Sequence, residues 1–175
     1  MNASAGAAAA VRGWTRAAAV GLHFRPVADS DLPFLYRVYA STRAEELAPL
    51  PWSEDQKAAF LTQQFNAQHV EYRRNHPDAD WLVILRAGEA IGRLYVDRTA
   101  REYNVIDIAL LPARRGAGLG GAIMRDLMDE AAAVRKPLTI YVEKFNPALR
   151  LYRRLGFQTI EDNGVYDLMR WSAGT

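Results

Sequence analysis

Residues 103–124 of this 175-residue chain read YNVIDIALLPARRGAGLGGAIM. A β-branched and aliphatic run ends at Pro112, four glycines crowd the positions from 116 to 121, and an apolar run then resumes. Proline cannot donate to a sheet ladder, so the strand expected over 103–111 stops there. Glycine in or beside a helix costs roughly 1 kcal/mol against alanine. Such a cluster therefore implies a backbone conformation, or a close approach, that other residues would obstruct. Beyond it Ile123, Met124, Leu127, Met128 and Ala131 recur at helical intervals and predict a buried face through about Val134. Any fold of this chain has to accommodate a strand, a glycine turn and a helix in direct succession.

The flanks supply the rest of a core. Residues 22–27 read as a first strand, followed by a helix with a capping-type Asp29 and apolar Leu32, Leu35, Val38 and Tyr39 at helical spacing. Ser53 with Gln56 forms a capping box that opens a second helix through about residue 75, which Pro77 stops. Residues 81–98 are two β-rich runs around Ala-Gly-Glu, the signature of an antiparallel hairpin. Residues 138–143 form a short strand. Asn146 as N-cap, Pro147 and Gly156 bracket a further helix, and Asn163-Gly164 marks a closing hairpin. The order is strand, two helices, three strands, helix, strand, helix, hairpin. With half its residues hydrophobic and no internal repeat, residues 21–175 read as one domain. The Ala-rich residues 1–20 read as a disordered or partly helical extension; Arg12 and Arg16 interrupt it, so it is no secretory signal. No apolar run is long enough to span a bilayer.

Composition narrows the chemistry. The absence of cysteine removes disulfides, thiolate metal sites and a cysteine nucleophile, and fits a reducing cytoplasm. His23, His69 and His76 have no metal-ligand spacing, so no metal is assigned. A net charge of +2 with a pI near 9.0 points to a small anion as ligand, with neither nucleic acid nor membrane as partner. No Gly-Lys-Ser/Thr follows the glycines, which excludes a P-loop. Gly116, Gly118 and Gly121 do satisfy G-x-G-x-x-G, with Glu143 near the end of the next strand, but an antiparallel-looking meander precedes them where a dinucleotide fold needs a βαβ unit. The remaining chemistry is the diphosphate of an acyl-coenzyme A. Unpaired amides and the helix dipole favour an anion there, and missing side chains let it approach.

At this point the chain resembles the GNAT superfamily of N-acetyltransferases. Arg115-Gly116-Ala117-Gly118-Leu119-Gly120 fits the family's Arg/Gln-x-x-Gly-x-Gly/Ala motif at every specified position, and NPALRLYRRLGF at 146–157 resembles its second motif. The resemblance runs from about residue 22 to 171. It implies an α+β (mixed α/β) three-layer fold: a mostly antiparallel central sheet of about six to seven strands, splayed between the fourth and fifth, with about four flanking helices. It also implies acetyl-CoA as co-substrate, held by main-chain groups of Ala109, Leu110 and Leu111, by Arg115 through Gly121, and by Asn146. The Leu110 N–H would stabilise the oxyanion, Tyr152 would protonate the leaving thiolate, and Asp107 would deprotonate the amine, with Glu102 and Glu143 as alternatives. Arg114, Arg115, Arg150, Arg153 and Arg154 form the densest basic group, suited to coenzyme A phosphates or simply to solvent.

By the same resemblance the acceptor pocket draws on the first two helices and the final hairpin, a region that includes Glu45, Glu46, Trp52, Phe65 and Tyr72, with Trp81 opening the next strand. The activity implied is direct transfer of acetyl to a primary amine on a small molecule, a peptide N-terminus or a lysine. A non-catalytic acyl-CoA sensor or interaction module on the same fold is the alternative. The resemblance is compatible with a homodimer.

Overall fold

A computed structural model describes residues 14–174. Strands β1 (Leu22–Pro26), β2 (Asp80–Arg86), β3 (Glu89–Arg98), β4 (Tyr103–Leu110), β5 (Leu138–Glu143), β6 (Gln158–Asn163) and β7 (Tyr166–Trp171) form one sheet in the order β1-β2-β3-β4-β5-β7-β6. Every pairing is antiparallel except β4 with β5. Helices α1 (Thr15–Ala19), α2 (Leu32–Leu47), α3 (Glu54–Asn75), α4 (Leu119–Ala133) and α5 (Leu149–Arg154) accompany it. The architecture is the expected three-layer, mostly antiparallel one, with five helices among the described residues where about four were anticipated.

Local chemistry accounts for the element boundaries. Ser53 Oγ accepts the Gln56 N–H at 3.1 Å and Gln56 Oε1 accepts the Ser53 N–H at 2.9 Å, closing the capping box of α3. Ala87 and Gly88 both have positive φ, 50° and 76°, as a twist-compatible two-residue turn between β2 and β3 requires. The last hairpin turns one residue later than Asn163-Gly164: Asn163 still pairs with Tyr166, and Gly164-Val165 makes the turn. Before α2 the capping carboxylate is Asp31, not Asp29. Asp31 accepts the Ala28 N–H at 2.8 Å and both arms of Arg25 at 2.7 and 2.8 Å, and the Arg25 hydrogen bond holds its carboxyl below the usual range. Leu35, Val38 and Tyr39 are buried as their spacing predicts, whereas Leu32, at the exposed first turn, is not.

The two faces of the sheet are covered differently. On one, Leu82, Ile84, Leu94, Val96 and Val105 pack with Leu119, Ile123, Met124, Leu127 and Ala131 of α4 and with Leu149 and Tyr152 of α5. On the other, Leu35 and Tyr39 of α2 meet Phe65 of α3 in a smaller cluster. Residues 91–96 of β3 are all buried because both faces above them are covered. Val134, expected to end the buried face of α4, instead follows the helix and is exposed.

Residues 14–20, assigned by sequence to the extension, belong to the fold; residues 1–13 lie outside the described residues. The buried Asp126 of α4 supplies what α1 cannot supply itself. Its two oxygens accept the Arg16 and Ala17 N–H groups at 3.2 and 2.8 Å, capping α1 from another helix. Trp14 is buried, donates to Glu130 at 2.9 Å and meets Phe24 edge-on. Asp126→Ala leaves those two amides without partners. It is expected to cost about 1–3 kcal/mol in urea unfolding and to expose residues 14–20 to proteolysis; an unchanged midpoint would show that α1 is held by packing alone.

Candidate active site

The site begins where β4 and β5 part. Their parallel pairing joins Tyr103, Asn104 and Val105 to Leu138, Thr139 and Ile140, and there it stops, while β4 continues to Leu110 on β3 and β5 continues to Glu143 on β7. The register against β3 slips at the same level: Val96 faces Val105 and Tyr95 faces Asp107, so Ile106 is an extra residue, a bulge. The phase of the β3–β4 ladder beyond it is set by the Leu111 N–H, which donates to Ile91 C=O at 2.9 Å. Antiparallel ladders alternate, so Leu110 and Ile108 turn their N–H and C=O groups away from β3, toward the opening. Leu110 thus has the orientation that pairing with an added strand requires. Ala109 and Leu111 do not, because their amides face β3, and the Leu111 carbonyl also accepts the Arg114 N–H. Ile108 was missed. Its position is readable only once the bulge is known.

The glycine turn follows directly and is tied to the end of β4 by Arg115, whose Nε donates to the Leu110 carbonyl at 2.9 Å and whose Nη2 donates to Ser41 Oγ at 3.3 Å. The four glycines answer two separate demands. Gly116 and Gly118 have φ of 79° and 77°, a left-handed conformation, and a Cβ on either would meet nothing within 4 Å, so the space before the turn is open. Gly120 and Gly121 instead face α5, where added Cβ atoms would lie 4.0 and 3.5 Å from Leu151. Gly118 is the N-cap of α4 and offers no side chain; the first intrahelical bond is Ala122 N–H to Gly118 C=O at 3.1 Å. The amides of Leu119, Gly120 and Gly121 therefore have no carbonyl within the helix and no capping side chain. An uncapped 15-residue helix behind an open, side-chain-free turn fits a diphosphate. The fit of Gly116, Gly118 and Gly121 to a dinucleotide fingerprint lacks its fold, since the only parallel pair in the sheet is the short β4–β5 one.

Of the basic group, Arg115 is folded back onto Leu110, Arg114 pairs with Glu89, and Arg150, Arg153 and Arg154 are exposed. Asn146 Oδ1 accepts the Ala148 N–H at 2.9 Å, so it supports the start of α5, which begins at Leu149.

Tyr152 is buried, its ring tilted on Phe157 at 5.9 Å, and its hydroxyl makes no hydrogen bond among the described residues. Burial, then the negative charge of Asp107, pushes its phenol well above the usual value, so it stays protonated across the neutral range. Asp107 lies on the face of α2 and α3. Its carboxylate, partly exposed, pairs with the sealed guanidinium of Arg93, which also donates to Gln68 Oε1 of α3 at 2.9 Å. Glu143 ends β5 at the open end of the gap and accepts from the Tyr166 hydroxyl at 3.3 Å. Glu102 is at the closed end, before β4, and pairs with Arg170.

The acceptor-side candidates separate. Phe65 is core, Trp81 packs on Tyr95 beneath Arg73, Trp52 packs on Phe60, and Glu46 is engaged by Arg43. Tyr72 is raised by burial and by Asp107, which places its phenol in the same electrostatic neighbourhood. A groove of about 350 Å³ between α2 and α3, lined by Tyr36, Ala44, Lys57 and Leu61 among others, contains no residue of β4, β5 or the glycine turn and is separate from this site. His76 pairs with Asp97 and His69 stacks on Phe65; no cluster of metal-ligating side chains occurs among the described residues.

Two outcomes test this geometry. Gly118→Val forces a β-branched residue into a left-handed conformation and is expected to cost at least about 1–2 kcal/mol in chemical unfolding; a neutral effect would contradict the N-cap conformation. Tyr72, Tyr95 and Tyr152 all have raised phenols, chiefly through burial. The unfolded chain releases phenol protons near pH 10, so above that pH the folded state binds more protons and stability falls as pH rises. Urea midpoints compared at pH 8 and 11 should show that fall, and its absence would contradict the burial of these rings.

Known proteins agree with this arrangement. The acetyltransferase (GNAT) domain family matches residues 77–159. A search of curated proteins by sequence finds no match. Among solved structures, the chain is similar to a PaiA N-acetyltransferase from Thermoplasma acidophilum in complex with coenzyme A, at 16% identity and TM-score 0.65 over 87% of this chain and 99% of that one. It is similar to an acetyltransferase from Thermus thermophilus, at 20% identity and TM-score 0.62 over 87% and 97%. A GNAT family acetyltransferase from Elizabethkingia anophelis with acetyl-CoA bound aligns at 15% identity and TM-score 0.55 over 87% and 99%. The fold is that of these acetyltransferase structures, and the match to the acetyltransferase (GNAT) domain family over residues 77–159 spans β2 to β6 and so includes the parted strands and the glycine turn.

Proposed function

We propose that this protein transfers acetyl from acetyl-CoA directly to a primary amine on a small molecule, a peptide N-terminus or a lysine. The observation that carries the proposal is the parting of β4 and β5 beside an uncapped glycine turn. The turn offers amides to a diphosphate, and the adjoining edge offers Ile108 and Leu110 backbone groups to an extended pantetheine arm, which docks as an added strand would. The PaiA and Elizabethkingia structures, which hold coenzyme A and acetyl-CoA, support the choice of donor.

In this mechanism Asp107 takes a proton from the acceptor ammonium, directly or through one water. The amine nitrogen then bonds to the thioester carbonyl carbon while the Leu110 N–H donates to the developing oxyanion, an effect worth about 2.7–4 kcal/mol in other acyl-transfer enzymes. The C–S bond breaks, Tyr152 protonates the departing thiolate and is restored by the extra proton of the nitrogen, and Asp107 passes the proton it took to solvent. Ammonium and thioester become amide and thiol with net release of one proton to solvent. Burial suits Tyr152 to this task, because it keeps the phenol in its donating form. With no cysteine in the chain, no acetyl-thiol enzyme is invoked.

A non-catalytic acyl-CoA sensor is the competing reading, favoured only if the donor binds without turning over. Thiol release from acetyl-CoA across a panel of primary amines, beside a thermal-shift titration with coenzyme A, separates the two. Amine-dependent release is expected; stabilisation without release would favour the sensor. Tyr152→Phe should lower kcat by about 10²-fold or more while the coenzyme A Kd stays within a few-fold. An unchanged kcat would remove Tyr152 from the mechanism.

A further inference from the structure

Arg93 is the most deeply buried charge beside the parted strands, and the transfer chemistry above makes no use of it. It lies on β3 one pleat from Tyr95, which faces Asp107 across the strands, so Arg93 and Asp107 are diagonal neighbours on one face of the sheet. The Arg93 side chain is 4% exposed and the Asp107 side chain 23%. The guanidinium pairs with Asp107, donates to Gln68 of α3, and lies over the rings of Tyr95 and Tyr39, 5.1 and 6.0 Å from their centroids. Its Nε is buried with no hydrogen-bond partner.

Stability alone is a poor explanation for this arrangement. Replacing a buried ion pair by well-packed apolar residues is often neutral or stabilising, and an unpartnered buried N–H adds a further cost. The pair is also asymmetric: the cation is sealed between the sheet, α2 and α3, and only the anion, the half able to accept a proton, is partly exposed. We propose that Arg93 is a positioning residue for amine deprotonation: it holds the Asp107 carboxylate in place beside the gap, with Gln68 anchoring the guanidinium to α3. The proposal rests on the acetyl-transfer reading and adds a residue that reading does not require.

The test measures kcat for amine-dependent thiol release, and separately the coenzyme A Kd, in Arg93→Met, Arg93→Lys, Asp107→Asn and the double variants. Arg93→Met should lower kcat about 100-fold, near the lower end of what a positioned proton-transfer group contributes. Arg93→Lys, which keeps the charge but loses the planar fork, should recover much of that loss. The Kd should hold within about threefold, because Arg93 does not line the glycine turn. In the Asp107→Asn background neither Arg93 substitution should slow the enzyme further, since residues acting as one unit are not additive. Should Arg93→Met fail to fold, Arg93→Lys with and without Asp107→Asn decides the question. A folded Arg93 variant at the wild-type rate, or losses that multiply in the double variant, would overturn the proposal alone; an unimpaired Asp107→Asn would overturn it together with the role of Asp107 as base, leaving acetyl transfer itself standing. No amine-dependent release by the wild type would overturn the transfer reading, and this proposal with it.

Discussion

The early parting of β4 and β5 is the constraint on which the rest of this structure depends. Backbone N–H and C=O groups inside a sheet are normally paired, and a gap in mid-sheet leaves a row of them seeking partners. The gap persists because neither strand needs the other beyond Ile140. β4 is held by β3 as far as Leu111, and β5 is held by β7 over all six of its positions. The bulge at Ile106 falls one residue past the last β4–β5 pair, where it bends the strand and increases its twist. At Gly92 on β3, a Cβ would sit 2.3 Å from the Ala109 carbonyl oxygen, so the close approach of β3 to the free end of β4 depends on a missing side chain.

The same bulge sets the chemistry of the opening. Val105 belongs to the large core beneath α4, and strict alternation would place Asp107 there too. One extra residue turns Asp107 to the opposite face, toward Arg93, Tyr72 and Tyr95, and leaves Ile108 and Leu110 packed on the core side. A carboxylate in the large apolar core would need neutralising or pairing; on the other face it meets a guanidinium already held by α3. The donor edge and the candidate base are thus consequences of a single insertion in one strand.

The fold was legible in the sequence because its elements announce their own ends. Pro112 and the glycines fix the β4–α4 junction, Ser53 and Gln56 fix the start of α3, and Gly88 and Gly164 mark both hairpins. What escaped were features set by partners distant in sequence. Asp126 and Asp129 look like the solvated face of a helix, yet they hold Arg16 and Ala17, more than a hundred residues away. Asp31 outcompetes Asp29 as the cap because Arg25 from the preceding strand binds it. At the site, the turn and its uncapped amides follow from local sequence, whereas which of Ala109, Leu110 and Leu111 turns its backbone groups away from β3 depends on ladder phase. Arg93 was overlooked although an arginine inside the apolar run Ile91–Val96 is a signal in itself: a cation there must be paired.

The central claim is that the free edge of β4 and the open mouth of α4 together receive one extended, diphosphate-bearing thioester. Amide hydrogen exchange with and without coenzyme A tests it most directly, residue by residue. The account predicts added protection at Ile108, Leu110 and the amides from Gly116 to Gly121, with little change in β1, β2 or the outer strand β6. Saturating ligand that leaves those amides unchanged, or protects a different surface instead, would contradict it.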